Sequence, residues 1–185
     1  MSRKRQTLRE QTQWVALCGL LVALMLVLGF VESLMPVAAG VPGIKLGLSN
    51  GVLIFAVYML NIPTAFVLMV LKVVLSGLLF GGVNAMMYAF AGGLVSMVFM
   101  TLLSRVKGVH PVMVSMVGGV AHNVGQVALA MVILSTPSLM YYMAVLMVAG
   151  LITGAVTGVA ANLVMKHLQK TVSYTHLTLP TKRIV

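Results

Sequence analysis

The chain contains no aspartate and only two glutamates, Glu10 and Glu32, among its 185 residues. That shortage excludes several chemistries at once. Asp-rich Mg²⁺–diphosphate chemistry has no ligands, and a Ser/His/Asp triad cannot form. No Gly-x-x-x-x-Gly-Lys-Ser/Thr loop is present, so ATP is not hydrolysed by that route. Cys18 is the single cysteine and lies in an apolar stretch. It rules out a disulfide framework and a thiolate metal site, and reads as a small packing residue. These absences leave no catalytic residue, metal site or cofactor to assign.

Charge is scarce as well: 8% of residues are charged and 61% are hydrophobic, with a mean hydropathy of +1.10. Soluble domains carry about a quarter charged residues, so the solvent for this chain is the lipid bilayer. A span of the hydrocarbon takes about 20 apolar residues. Six stretches qualify, near residues 15–35, 48–60, 63–80, 85–103, 111–134 and 139–165. The expected architecture is an all-α integral membrane bundle of six transmembrane helices occupying residues 13–170.

The net charge of +10 lies beside the spans and not on a basic groove. Arg3, Lys4, Arg5 and Arg9 precede the first, in a basic segment of residues 1–12. Arg105 and Lys107 separate the fourth and fifth, and Lys166 and Lys170 follow the sixth. The positive-inside bias then puts both termini in the cytoplasm of a bacterial inner membrane, and nucleic acid is not an expected partner. The first apolar run is too long for a signal peptide and reads as a retained helix. Residues 171–185 break from the preceding composition and resemble translated sequencing-adapter read-through, so they read as a non-native tail without functional weight.

Polar residues inside such spans are costly and tend to face a bundle interior or a substrate route. His122 and Gln126, four apart, share a helix face with Asn123 beside them. Two readings stand for this trio: hydrogen bonding to a ligand, or interhelical glue. Lys72, midway along the third span, and Lys45, in the first outer loop, offer positive charge to an anionic group. Glu32 is their resting counter-ion or a fixed ion-pair partner, and Lys72 has the further option of snorkelling. Asn50 begins the second span beside Ser49. Asn84 lies near Tyr88 on the fourth and either lines an entrance or caps its helix. The second span is short and follows a Pro/Gly-rich loop, which marks either a binding site or a tilted neighbouring bundle. The many glycines read as close helix packing, and the Ala16, Gly19 and Ala23 stripe as packing or a docking face. The methionines read as adaptable filler.

Three motifs carry a resemblance: Pro42-Gly-Ile-Lys-Leu-Gly-Leu-Ser-Asn50, Leu78-Leu-Phe-Gly-Gly82 through Ala91-Gly-Gly93, and Gly119-Val-Ala-His-Asn-Val-Gly-Gln126. Over residues 13–168 the chain resembles the Gx transporter family, also labelled heptaprenyl diphosphate synthase component I. That family is similar to the S components of energy-coupling factor transporters. The resemblance implies an S-component-like bundle that binds a small molecule from outside and works with an energy-coupling membrane subunit and ATPases. The expected ligand is small and polar or anionic, held by Lys45, Asn50, Lys72, Asn84, His122, Asn123 and Gln126. The family's synthase label implies the alternative, a non-catalytic membrane accessory subunit of isoprenoid or quinone biosynthesis.

Overall fold

The computed structural model describes residues 8–34 and 47–177. They form α1 (Leu8–Ser33), α2 (Asn50–Met59), α3 (Ile62–Ser76), a π-helical turn (Gly77–Gly81), α4 (Gly82–Ser104), α5 (Pro111–Leu134) and α6 (Leu139–Leu177), and no strand occurs among the described residues.

Helix starts follow local chemistry. Asn61 Oδ1 accepts the Thr64 N–H at 2.8 Å and Pro63 occupies the first turn of α3. His110 Nδ1 accepts the Val112 N–H at 3.3 Å ahead of Pro111 in α5. In both cases a side chain satisfies one orphan N–H while proline fills a position with no donor to lose.

Among the described residues four stretches are long and apolar enough to cross a membrane: Gln11–Ser33, Ile62–Ser104, Pro111–Leu134 and Leu139–Gln169. The expectation of six spans therefore holds only in part. With its 10 residues, α2 is too short, reaching about 15 Å at the rise of an α-helix, against about 30 Å of hydrocarbon. The Ile62–Ser104 stretch contains α3 and α4, which fold back on each other. Gly82 takes φ +71°, a conformation costly for any residue with a Cβ. A Cβ on Gly77 would lie 2.7 Å from Met86 Cβ, and one on Gly93 2.8 Å from Met69 Sδ. Both pairs are centred on Gly81–Gly82, so α3 and α4 are the two arms of a helical hairpin.

The shortest helix is also the most central. All five other α-helices pack against α2, and its Leu53, Ile54 and Ala56 are fully buried. A helix packed by five others has no polar face to show, which fits its uniformly apolar sequence after Asn50. Along α6, Gly150, Gly154 and Gly158 recur every fourth residue and meet α5 backbone. A Cβ on Gly154 would lie 2.7 Å from Ser115 O, one on Gly158 3.0 Å from Val112 Cα, and Gly119 abuts the Gly150 carbonyl. Small residues at this spacing let helices approach to backbone contact in lipid. The outer faces carry Leu20, Val27, Leu78, Val132 and Val156 exposed. Surface this apolar suits hydrocarbon surroundings.

Candidate functional site

The trio on α5 is wholly internal: His122 is 1% exposed, and Asn123 and Gln126 are 0%. Glycine creates the room for it. A Cβ on Gly92 of α4 would lie 2.5 Å from His122 O and 2.7 Å from Gln126 Cγ, and one on Gly125 2.9 Å from Gly92 Cα. The α4–α5 crossing is therefore closest where the polar side chains emerge.

The start of α2 closes over the same place. Gly47 has φ +85°, and a Cβ there would meet Asn50 Nδ2 at 2.8 Å and His122 Cδ2 at 3.1 Å. The Gly47 and Leu48 N–H groups both point at Glu32 on α1. Gly47 N donates to Glu32 Oε1, and Leu48 N reaches the same oxygen at 3.4 Å. A carboxylate that accepts N–H groups in the turn leading into a helix is favoured by hydrogen bonding and by the nearby helix dipole. Ser49, the formal N-cap of α2, makes no capping hydrogen bond.

Lys72 projects from the buried face of α3, and its charge is within electrostatic reach of His122. Asn123 turns the other way, donating from Nδ2 to Leu146 O on α6 at 2.6 Å. Asn50, Lys72, His122, Asn123 and Gln126 are thus all interior, around the α2 start and the α4–α5 crossing. Asn84 is not part of this group. It is exposed in the first turn of α4, whose N-cap is Gly81. Lys45 lies outside the described residues.

Several of these atoms have hydrogen-bonding capacity to spare. Ser49 Oγ, both amide atoms of Asn50, His122 Nδ1 and Asn123 Oδ1 are buried and form no hydrogen bond. Leaving such a group unsatisfied costs about 1–3 kcal/mol. Among the described residues no group of three His, Cys, Asp or Glu is placed to hold a metal ion. The chemistry on offer is hydrogen bonding beside a lysine, suited to holding a polar group.

Sequence reasoning named Ser49 and Glu32 without joining them to the α5 trio, and it gave Gly47 no part in the site. The available signal was Gly47 itself, a glycine two positions before the polar Ser49-Asn50 pair that opens a helix.

A family model described as heptaprenyl diphosphate synthase component I matches residues 21–164, the stretch that carries every described residue of this cluster. No curated protein and no solved structure matches the chain.

Proposed function

Because the chain belongs to the heptaprenyl diphosphate synthase component I family, we propose that it is a membrane subunit which binds a small polar or anionic molecule and serves a partner assembly. The carrying observation is the set of buried polar atoms without a hydrogen bond, Ser49 Oγ, both amide atoms of Asn50, His122 Nδ1 and Asn123 Oδ1, with the Lys72 charge in electrostatic reach of His122. A ligand supplying complementary donors and acceptors would recover the cost of burying these atoms. In this reading Lys72 attracts the anionic portion and His122 and Gln126 orient it. Asn50 closes the site, Asn123 ties it to α6, and Lys45 and Asn84 act on the approach. In this reading the six helices form an S-component-like bundle of a bacterial cytoplasmic membrane with both termini inside, α2 making the second crossing together with the turns at residues 47–49 and 60–61, and an energising subunit drives release. The charge flanking the spans supports that orientation.

The family description favours a second reading, a non-catalytic membrane component of a prenyl diphosphate synthase. Purification of the full chain from its native membrane separates the two. Mass spectrometry of retained small molecules, together with identification of co-purifying proteins, gives the readout. Transport predicts a retained polar molecule, diminished in Lys72→Met, and an associated ATPase module. A stoichiometric soluble prenyl synthase with no retained polar molecule would replace transport with the accessory role.

A further inference from the structure

The last turn of α1 is gripped from two sides. On one side Phe30 meets Phe80 of the π-helical turn, with ring centroids 5.7 Å apart and planes at 70°. Aromatic pairs favour this edge-to-face arrangement. On the other side the buried Glu32 accepts the Gly47 N–H, and Leu48 N lies 3.4 Å from the same oxygen. Two helical residues apart, Phe30 and Glu32 project about 200° from each other around the axis. The end of α1 therefore sits as a wedge between the π-helical turn and the start of α2.

Both grips lead to the polar cluster. Gly47 lies against it, since a Cβ there would meet Asn50 Nδ2 at 2.8 Å and His122 Cδ2 at 3.1 Å. Phe80 belongs to the turn that continues α3, and Lys72 stands on α3 about two turns earlier. The wedge thus bridges the two elements that supply Asn50 and Lys72.

The rest of α1 is held weakly. Its backbone meets α2, α3 and the π-helical turn, but not α4, α5 or α6. A side chain at Gly19 or Gly29 would find nothing within 4 Å. In lipid, apolar packing of this kind has little driving force, because acyl chains cover the same surface as well as a neighbouring helix does. The contacts at Phe30 and Glu32 therefore decide where the end of α1 sits. The turn that Phe30 grips has room to respond. Gly82, directly after it, has φ +71° and open space where a Cβ would stand, and π-helical turns inside helices frequently mark functional sites.

We propose that Phe30 and Glu32 form the gate of the polar cluster: they close it by clasping the π-helical turn and the start of α2, and the end of α1 leaves both to let the ligand pass. This rests on the reading of the cluster as a ligand site and adds the element that controls access to it.

The test uses the full chain in lipid nanodiscs with Cys18→Ala, so that the thiol introduced by Ser49→Cys is the only one. Its modification by the anionic reagent methanethiosulfonate ethylsulfonate is timed by intact-protein mass spectrometry. Ser49 is fully buried, so the thiol reacts only while the gate is open. Phe30→Ala and Phe80→Ala are each expected to speed the reaction at least fivefold. The double variant should do no more than either, since both remove one shared contact. Glu32→Ala should speed it at least tenfold and Glu32→Gln less, because the amide keeps an acceptor oxygen. Val27→Ala and Leu79→Ala, exposed positions on the same two elements, should leave the rate as it was.

Unchanged rates in Phe30→Ala, Phe80→Ala and Glu32→Ala overturn the gate. So does an equal gain at a Val114→Cys thiol, a fully buried position on α5 about two turns before His122, because that gain would mean general loosening. Mass spectrometry of the retained polar molecule judges the cluster separately. If Lys72→Met loses that molecule while the gate variants leave thiol modification unchanged, only the gate falls. If Lys72→Met and Asn123→Ala retain it undiminished, the cluster reading falls.

Discussion

The Glu32 carboxylate, at the end of α1, accepts the backbone N–H of Gly47 just ahead of α2. One helix thereby holds the turn that leads into another, and Leu48 N lies 3.4 Å from the same oxygen. Ser49, the residue directly before α2, leaves its hydroxyl uncommitted. Glu32 thus has a structural task besides any counter-charge it gives to a lysine.

Removing that task should be measurable. Hydrogen bonds to a charged group contribute about 1.5–3 kcal/mol, so Glu32→Ala is expected to lose about 2 kcal/mol and Glu32→Gln about half as much. Thermal unfolding in detergent, followed by circular dichroism, gives the comparison. Wild-type stability in Glu32→Ala would show that the contact contributes nothing.

Gly47→Ala should damage both stability and binding. The residue sits at φ +85° with Asn50 and His122 directly against it, and a non-glycine residue held in such a conformation costs about 1–3 kcal/mol. Gly108→Ala is the matched control, since Gly108 has φ +88° and no neighbour within 4 Å. Both variants should lose stability through backbone strain, but only Gly47→Ala should lose the retained polar molecule. Equal retention in the two would separate Gly47 from the site.

Much of this was legible before any coordinates. The spans expected near residues 63–80 and 111–134 begin within a residue of α3 and α5, and the interior face of α5 followed from the four-residue interval between His122 and Gln126. The central position of α2 was not legible. After Asn50 the helix is apolar all round, and in a lipid-embedded chain such a pattern does not tell core from hydrocarbon-facing surface. Leu24 and Met25 show the same difficulty: adjacent and equally apolar, one is 46% exposed and the other 0%. Asn84 looked like Asn50 in sequence because a lone polar residue at a helix start does not reveal which way it faces. The Glu32–Gly47 contact joins residues on two elements, so no local pattern announces it.

Asn123 distinguishes glue from ligand contact. Its bond to Leu146 O is 2.6 Å long, and polar contacts between helices in a bilayer average about 0.6 kcal/mol. Asn123→Ala should therefore cost less than about 1.7 kcal/mol of stability, the largest such value. If Oδ1 also accepts from a ligand, retention of the bound molecule should fall at least tenfold, about 1.4 kcal/mol. A stability loss with unchanged retention would reduce Asn123 to a strut between α5 and α6.

Lys72 is the sharpest test of ligand charge, because it is 4% exposed within an apolar helix. Desolvating a buried ammonium is costly and its contacts offset that cost only in part, so a neutral replacement of the same length need not harm the fold. Lys72→Met preserves the stem and deletes the charge. Stability is expected to hold or rise slightly, while affinity for an anionic ligand falls roughly ten- to hundredfold, the equivalent of about 1.5–3 kcal/mol for a charge-assisted contact. Lys72→Arg keeps the charge but enlarges the head group, and should fall between the two. Equilibrium binding in nanodiscs, with the retained molecule and its uncharged analogue, provides the readout. A parallel loss for both molecules would assign Lys72 to packing around His122; a loss confined to the anion would assign it to the ligand's charge.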